Sequence, residues 1–224
     1  MEEWMNEKRR NGKETPSEKL GMKQEIGGQP AMNQKLIIIE GYLASGKSAF
    51  ALRLSKEIGI PYLIKDTFKT ALCNSIAING REESSRFSAV AFDGMIYMAE
   101  RMLETGYPLI MEGNFTPPGI KKVDEAGMIK HLADQYAYES LTYQFVGDTR
   151  VLHERFIERE KTPERGQANI IGRPVPYEEF DQWCHNLDGF DIGGKTIRVD
   201  TTDFGKVDFD RLIEAGRQFA VPYI

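Results

Sequence analysis

The sequence predicts an α/β domain in which about five parallel strands are covered on both faces by helices. Short continuous apolar runs alternate along the chain with longer segments of helical spacing, the pattern of strand–helix–strand crossovers. The first run, Leu36-Ile37-Ile38-Ile39, has no polar position to turn toward water, as a strand buried on both faces requires. A glycine-rich turn joins that run to a helical pattern, the place where open α/β sheets bind ligands.

The elements follow in order. Ser48 to Ile58 carries Phe50, Leu54 and Ile58 four apart and stops at Gly59, which predicts an amphipathic helix with a glycine C-cap. Tyr62-Leu63-Ile64 reads as a second strand and Thr67 to Ile78 as a second helix. Residues 88–105 form the clearest helix, its Ala91, Met95, Met98 and Met102 stripe predicting core packing. Leu109-Ile110-Met111 is a third strand, Pro117-Pro118-Gly119 a break, and about 121–135 a helix. Leu141 to Val146 is a fourth strand, and Asp148 can cap a helix from Thr149 to Glu160. Thr196 to Val199 is a fifth strand and Asp208 to Phe219 the last helix.

Residues 1–34 are rich in Lys, Glu, Asn, Gln and Gly and poor in large apolar residues. Such a segment cannot bury enough surface to offset its ordering entropy, so it is expected to be a flexible polar tail ahead of a domain spanning 35–224. Within that domain, about 160–177 is polar, proline-containing and arginine-bearing, and is expected to be a small lid.

Over the whole chain, 41% of the 224 residues are hydrophobic and 28% charged, an ordinary globular balance. The net charge of −5 argues against a dedicated nucleic-acid binder. Cys73, Cys184 and the three histidines show no zinc-ligand spacing, and are expected to be reduced thiols and ordinary side chains. No secretory h-region and no run of roughly 20 apolar residues is present. The expected location is therefore the cytoplasm.

The turn after the first strand, Gly41-Tyr42-Leu43-Ala44-Ser45-Gly46-Lys47-Ser48, matches G-x-x-x-x-G-K-[ST] at every fixed position. Glycines let backbone amides wrap phosphates, and the following helix aims its positive end at them. Lys47 would reach the β- and γ-phosphates and Ser48 would offer its hydroxyl to magnesium. Gly41, Ala44, Ser45, Gly46, Lys47 and Ser48, with Phe50 just beyond, are the expected contacts to ATP. This loop specifies the fold class further, as a P-loop NTPase three-layer α/β/α fold.

Other candidates surround the same crevice. Asp66 follows the second strand. With one strand between, it would stand about 10 Å from the phosphates, room for a γ-phosphate and an acceptor hydroxyl. It could take the acceptor's proton, or cap the helix starting at Thr67. Glu112 ends the third strand and suits a magnesium–water ligand, or is a solvated strand end. Asn114 and Phe115 would line the acceptor side. Arg155 and Arg159 share a helix face and could stabilise charge on a transferring phosphoryl, or pair with Glu154, Glu158 and Glu160. Arg150 and Arg173 read as surface residues.

These residues resemble the P-loop kinases of the shikimate kinase, gluconate kinase, chloramphenicol phosphotransferase and zeta-toxin kind. The resemblance is greatest to the group called AAA-type predicted kinases and covers about residues 35–215. It is carried by Gly41–Ser48, Asp66 with Lys69, the Leu109–Asn114 strand, the Arg155/Arg159 helix and Val199-Asp200-Thr201-Thr202. It implies a five-stranded parallel core with a lid, Mg-ATP as donor and a hydroxyl as acceptor. It further implies Arg155 against adenine, Thr201-Thr202-Asp203 bordering the base, and Asp66 near the acceptor; Lys69, Asn114 and the lid residue Arg165 are the other candidate contacts to the acceptor. Lys69 stands where relatives commonly carry arginine, and Glu112 where aspartate is frequent. The lid, Pro163 to Pro174, matches no lid that defines a substrate.

The expected activity is therefore transfer of the γ-phosphoryl of ATP to a hydroxyl of a small molecule such as a sugar, metabolite or antibiotic. A nucleotide-sugar or nucleic-acid 5′ end is an alternative acceptor. A switch or motor fits less well. There is no Asn-Lys-x-Asp motif, and Asp124-Glu125-Ala126-Gly127 lies in a helical stretch with no strand before it. A nucleotide-dependent binding module without chemistry remains a third reading.

Overall fold

The computed structural model describes residues 34–74, 81–121, 123–162 and 171–220, all within the unit Met32–Ile224. The segment expected to be a tail lies outside the described residues except for Gln34. Five strands form the sheet: β1 (Lys35–Gly41), β2 (Tyr62–Ile64), β3 (Leu109–Glu112), β4 (Glu139–Val146) and β5 (Lys195–Asp200). Seven α-helices are described: α1 (Lys47–Ile58), α2 (Lys65–Cys73), α3 (Arg81–Glu104), α4 (Glu125–Gln135), α5 (Thr149–Glu160), α6 (Tyr177–His185) and α7 (Phe209–Ala220). A 3-10 turn, Phe204–Lys206, precedes α7.

The strand order is β2-β3-β1-β4-β5, every pair parallel. β1 is the central strand, with Leu36 opposite both Leu109 and Ser140. Leu36 to Ile39 are wholly buried because alternate side chains feed two cores. Leu36 and Ile38 join Phe92, Met95 and Leu103 of α3 and Ile129 of α4 on one face. Ile37 and Ile39 join Phe50 and Leu54 of α1 and Ile213 of α7 on the other. A smaller third core gathers Tyr42, Leu152, Phe156, Phe180 and Cys184 between the phosphate loop, α5 and α6. The result is the three-layer α/β/α arrangement that the alternating pattern predicts.

Several boundaries differ from the sequence expectation. α2 starts at Lys65, two residues earlier than expected, and the remainder toward Ile78 passes out of the described residues. Asp66 therefore sits inside the first turn of α2 rather than capping a helix at Thr67. α3 starts at Arg81 rather than 88. Its inward stripe is Ala91, Met95, Ala99 and Leu103, while Met98 is 37% exposed because four-residue steps keep the buried line on one side. α4 starts at Glu125, since the Asp124 side chain accepts from Gly127 N–H at 2.8 Å and caps it there. α6 begins at the end of the expected lid and fills a stretch to which the sequence assigned no element. Among the described residues, no helix is long and apolar enough to cross a membrane.

Candidate functional site

β1 ends at the carboxyl edge of the sheet, and the chain turns there at Gly41 with φ 121°. A Cβ on Gly41 would sit 2.1 Å from the Phe145 carbonyl oxygen, so only glycine lets β1 and β4 run this close through the turn. Tyr42 N–H donates to that carbonyl at 2.7 Å. The loop then passes through the left-handed region at Ala44, φ 58°, and at Gly46, φ 89°. Such turns line a concavity with amides, and α1 opens directly behind it.

Lys47 is buried, and its ammonium donates to the carbonyls of Gly41 at 2.9 Å and Tyr42 at 2.5 Å. Ser45 Oγ donates to the Tyr42 carbonyl at 2.7 Å. Burial pushes the Lys47 ammonium pKa down, opposed by the charges of Glu112 and Glu40. The lysine is thus folded onto its own loop in an environment that favours an anionic partner for it.

Ser48 Oγ donates to Glu112 Oε2 at 3.1 Å. The two residues expected at a metal stand a hydrogen bond apart although they lie on α1 and β3. Burial pushes the Glu112 carboxyl up to about 7, with Lys47 pulling it down and Asp66 adding to the rise. One hydroxyl and one carboxylate at a helix N-terminus fit magnesium, which takes few protein ligands and completes its shell with phosphate and water. Among the described residues, no group of three or more His, Cys, Asp or Glu is placed to hold a metal.

One strand, β3, separates β2 from β1. Asp66 is solvent-exposed at the start of α2, and its charge reaches both Lys47 and Glu112. Arg159, half-buried in the last turn of α5, also acts on both. Lys47, Ser48, Glu112, Asp66 and Arg159 therefore share one electrostatic neighbourhood. Lys69 is buried on α2 and Asn114 half-buried just after β3.

Arg155 borders the other side of the loop. Its Nη1 donates to the Thr201 carbonyl at 2.6 Å and its Nη2 to the Thr202 carbonyl at 2.7 Å. Its guanidinium lies 4.1 Å from the Phe204 ring centroid. Thr202 Oγ1 in turn accepts from Asp148 N–H at 2.8 Å. Phe204 also abuts the phosphate loop, since a Cβ on Gly46 would be 3.1 Å from its ring. Arg155, Thr202 and Phe204 form one wall beside the start of α1.

Two aromatic expectations are corrected. Phe50 is 3% exposed and packs against Tyr143, Phe145 and Phe209, so its side chain belongs to the core beneath α1 and not to a nucleotide contact. Phe115 is wholly buried between Phe92 and Phe190 and does not line the crevice. Arg165 lies outside the described residues. Arg173 forms a forked pair with Glu179 at 2.9 and 2.5 Å, a surface role.

The structure adds residues that sequence reasoning missed. Glu40, the residue before Gly41, is wholly buried, and neither carboxylate oxygen has a hydrogen-bond partner. The Gln144 side chain, its register neighbour on β4, lies beside it and pulls the carboxyl down, outside good hydrogen-bond geometry. Burial pushes the Glu40 carboxyl up to about 8, against the pull of Lys47. Lys65 and Glu125 form a buried ion pair. Glu125 also accepts from the Thr116 N–H at 3.0 Å and its hydroxyl at 3.3 Å, tying the loop after β3 to α2. Burial would raise the Glu125 carboxyl, but Lys65 and Lys121 hold it below the ordinary range. Tyr42 Oη donates to Asp188 Oδ1 at 2.6 Å, and His185 Nδ1 stands 2.8 Å from Asp188 Oδ2. Periodicity gives no signal for Glu40, for Lys65–Glu125 or for Tyr42–Asp188, because the residues that surround or pair with them come from distant parts of the sequence.

No protein-family model matches the sequence, and no curated protein matches it. Solved structures do. A "putative kinase" from Chloroflexus aurantiacus J-10-fl superposes with a TM-score of 0.70 at 25% identity, over 84% of this chain and 97% of that one. A sugar kinase from Janibacter sp. HTCC2649 superposes with a TM-score of 0.51 at 13% identity, over 84% of this chain and 96% of that one. The chain thus carries the three-layer P-loop fold found in solved structures of the kinase group that its motifs resemble.

Proposed function

We propose that this chain is a kinase that moves the γ-phosphoryl group of Mg-ATP to a hydroxyl of a small-molecule acceptor. The observation that carries the reading is the convergence of Lys47, the Ser48–Glu112 pair, Asp66 and Arg159 on one crevice at the carboxyl edge of the sheet. The likeness to a structure described as a kinase supports the reaction class.

Each residue then has a task. The loop amides and the N-terminus of α1 hold the phosphates. Lys47 exchanges its two carbonyl bonds for phosphate oxygens and offsets their charge. Ser48 and Glu112 would hold magnesium, which supplies charge neutralisation on the β- and γ-phosphates when bound. Arg155 and Thr202 border the base. Asp66 accepts the proton of the acceptor hydroxyl as its oxygen bonds to the γ-phosphorus and the bond to the β–γ bridging oxygen breaks, leaving ADP. Arg159 stabilises the negative charge spread over the transferring oxygens. Lys69 and Asn114 flank the acceptor.

The test is ADP release, with Mg-ATP, against a panel of sugars, sugar acids, nucleosides, antibiotics, nucleotide-sugars and short oligonucleotides. One acceptor class should stimulate release by the wild type, and Asp66→Ala should lose about 10²–10⁴ in that rate while still binding ATP. A slow basal rate shared by both proteins across the panel refutes the kinase reading.

A further inference from the structure

A second cavity lies on the other side of the phosphate loop, at the β4–β5 edge. It has a volume of about 670 Å³ and is walled by Tyr42, Val146, Arg150, Tyr177, His185 and Arg198. Lys47, Ser48, Glu112 and Asp66 do not line it. Phe145 and Val199 face the α1–α7 core. Their neighbours Gln144, Val146, Arg198 and Asp200 therefore face the opposite side of the sheet, where α6 and the N-terminal end of α5 bound the hollow.

The charges in this cavity are unequally satisfied. Asp148 Oδ1 accepts from Arg150 N–H at 2.8 Å, and Asp200 Oδ1 accepts from Thr202 N–H at 2.9 Å. Behind the wall, Asp181 accepts from Thr149 Oγ1 at 2.5 Å, and Asp188 accepts from Tyr42 Oη at 2.6 Å. Every one of these carboxylates therefore has a donor. The two guanidiniums do not have acceptors to match. Arg150 is stacked 4.4 Å over the Tyr177 ring, and Arg198 acts on Tyr42 and Asp200 only through its field. Both guanidiniums are solvent-exposed, Arg150 also acts on Asp181 through its field, and no hydrogen bond or ion pair to either guanidinium is found among the described residues. Each guanidinium carries five N–H donors in a planar fork suited to carboxylate or phosphate. The N-terminal turn of α5 adds its positive end at Gly147 to Arg150.

We propose that this cavity is a second ligand site that takes a small organic anion, a metabolite bearing a phosphate or carboxylate group, gripped by Arg150 and Arg198. The occupant also touches the phosphate loop, because the Tyr42 ring lines the cavity while its carbonyl holds Lys47.

The experiment uses the full chain carrying Lys47→Ala, which weakens phosphate binding at the loop itself. Inorganic phosphate and succinate are the two probes, read by equilibrium dialysis and by amide chemical shifts. Saturable binding of one probe per chain is expected, with shifts at Gly147 to Arg150 and Arg198 to Asp200. Phosphate binding alone assigns the phosphate class, and succinate binding alone the carboxylate class. Arg198→Gln and Arg150→Gln should each weaken binding about tenfold or more, the loss of a charge-assisted bond. Arg198→Lys should keep part of the affinity, and Arg173→Gln, outside the cavity, should keep all of it. Failure of both probes to bind saturably overturns the proposal. So does binding that Arg198→Gln leaves unchanged, or an equal loss in Arg173→Gln, which marks a general charge effect.

Discussion

Replacing Glu40 by glutamine isolates the electrostatics beneath the phosphate loop. The Glu40 carboxyl is wholly buried without a hydrogen-bond partner, and burial pushes it from 4.5 up to about 8. The unfolded chain releases this proton near 4.5, while the folded chain keeps it to about 8. Between those values the folded state holds more protons, so this group's contribution to stability is complete below 4.5 and is lost as pH rises through 8. At about 1.4 kcal/mol for each tenfold change, the loss between pH 5 and 8 is on the order of 3 kcal/mol. Glutamine keeps the shape and cannot ionise. The stability difference between Glu40→Gln and wild type should therefore move in the variant's favour by that amount from pH 5 to pH 8. Urea denaturation at several pH values measures it directly. In thermal melts the same change is roughly 6–12 °C for a domain of this size. Glu112, which burial also pushes up, is present in both proteins, so its own contribution largely cancels in the difference. A difference that stays constant with pH refutes the argument.

Three further outcomes follow from the geometry. Lys47→Ala should cost at least about 10²-fold in Mg-ATP-dependent turnover, because the crevice loses its innermost donor; single-turnover kinetics measures this. Gly41→Ala should destabilise by about 2–4 kcal/mol in urea, since its Cβ meets the Phe145 carbonyl at 2.1 Å. Glu125→Ala should cost about 3–5 kcal/mol by leaving Lys65 buried and unpaired, and Lys65→Met combined with Glu125→Leu should recover most of it.

β1, β2 and β3 were legible as compact apolar runs, whereas β4 and β5 interleave polar residues such as Gln144 and Arg198 with the apolar ones and were legible from Leu141, Phe145, Ile197 and Val199. The phosphate loop was legible for a different reason: its amide cradle demands glycine and lysine at set positions, so the constraint is written in the chain. α6 was not. Only Phe180 and Cys184 of its nine residues are buried, one pair four apart, too little to mark a helical face. Its partners Tyr42, Leu152 and Phe156 come from other elements. Glu40 reads as a polar strand end, and only the tertiary structure around it removes it from water. Phe50 was drawn toward the nucleotide by its nearness to Lys47, but the inward face of α1 carries Phe50, Leu54 and Ile58 together into the core. The Lys65–Glu125 pair joins positions sixty apart, a separation that no local pattern encodes.

The position of β1 also bears on how the chain acquires its shape. β1 is the first of the described strands to be made and the middle strand of the sheet, and its neighbours on either side include Leu109 and Ser140. It cannot complete a single ladder until β3 has emerged, and it cannot complete both until β4 has. α1 waits longer still, since Ile213 of α7 closes the core around Leu54. Such non-local pairing makes folding slow and leaves an apolar strand uncovered during synthesis. The carbonyl of Phe145, which receives the Tyr42 amide as the loop turns, arrives more than a hundred residues after the glycine it constrains. The phosphate loop is thus made before most of the sheet that supports it, and is among the last segments of the domain to take its working form.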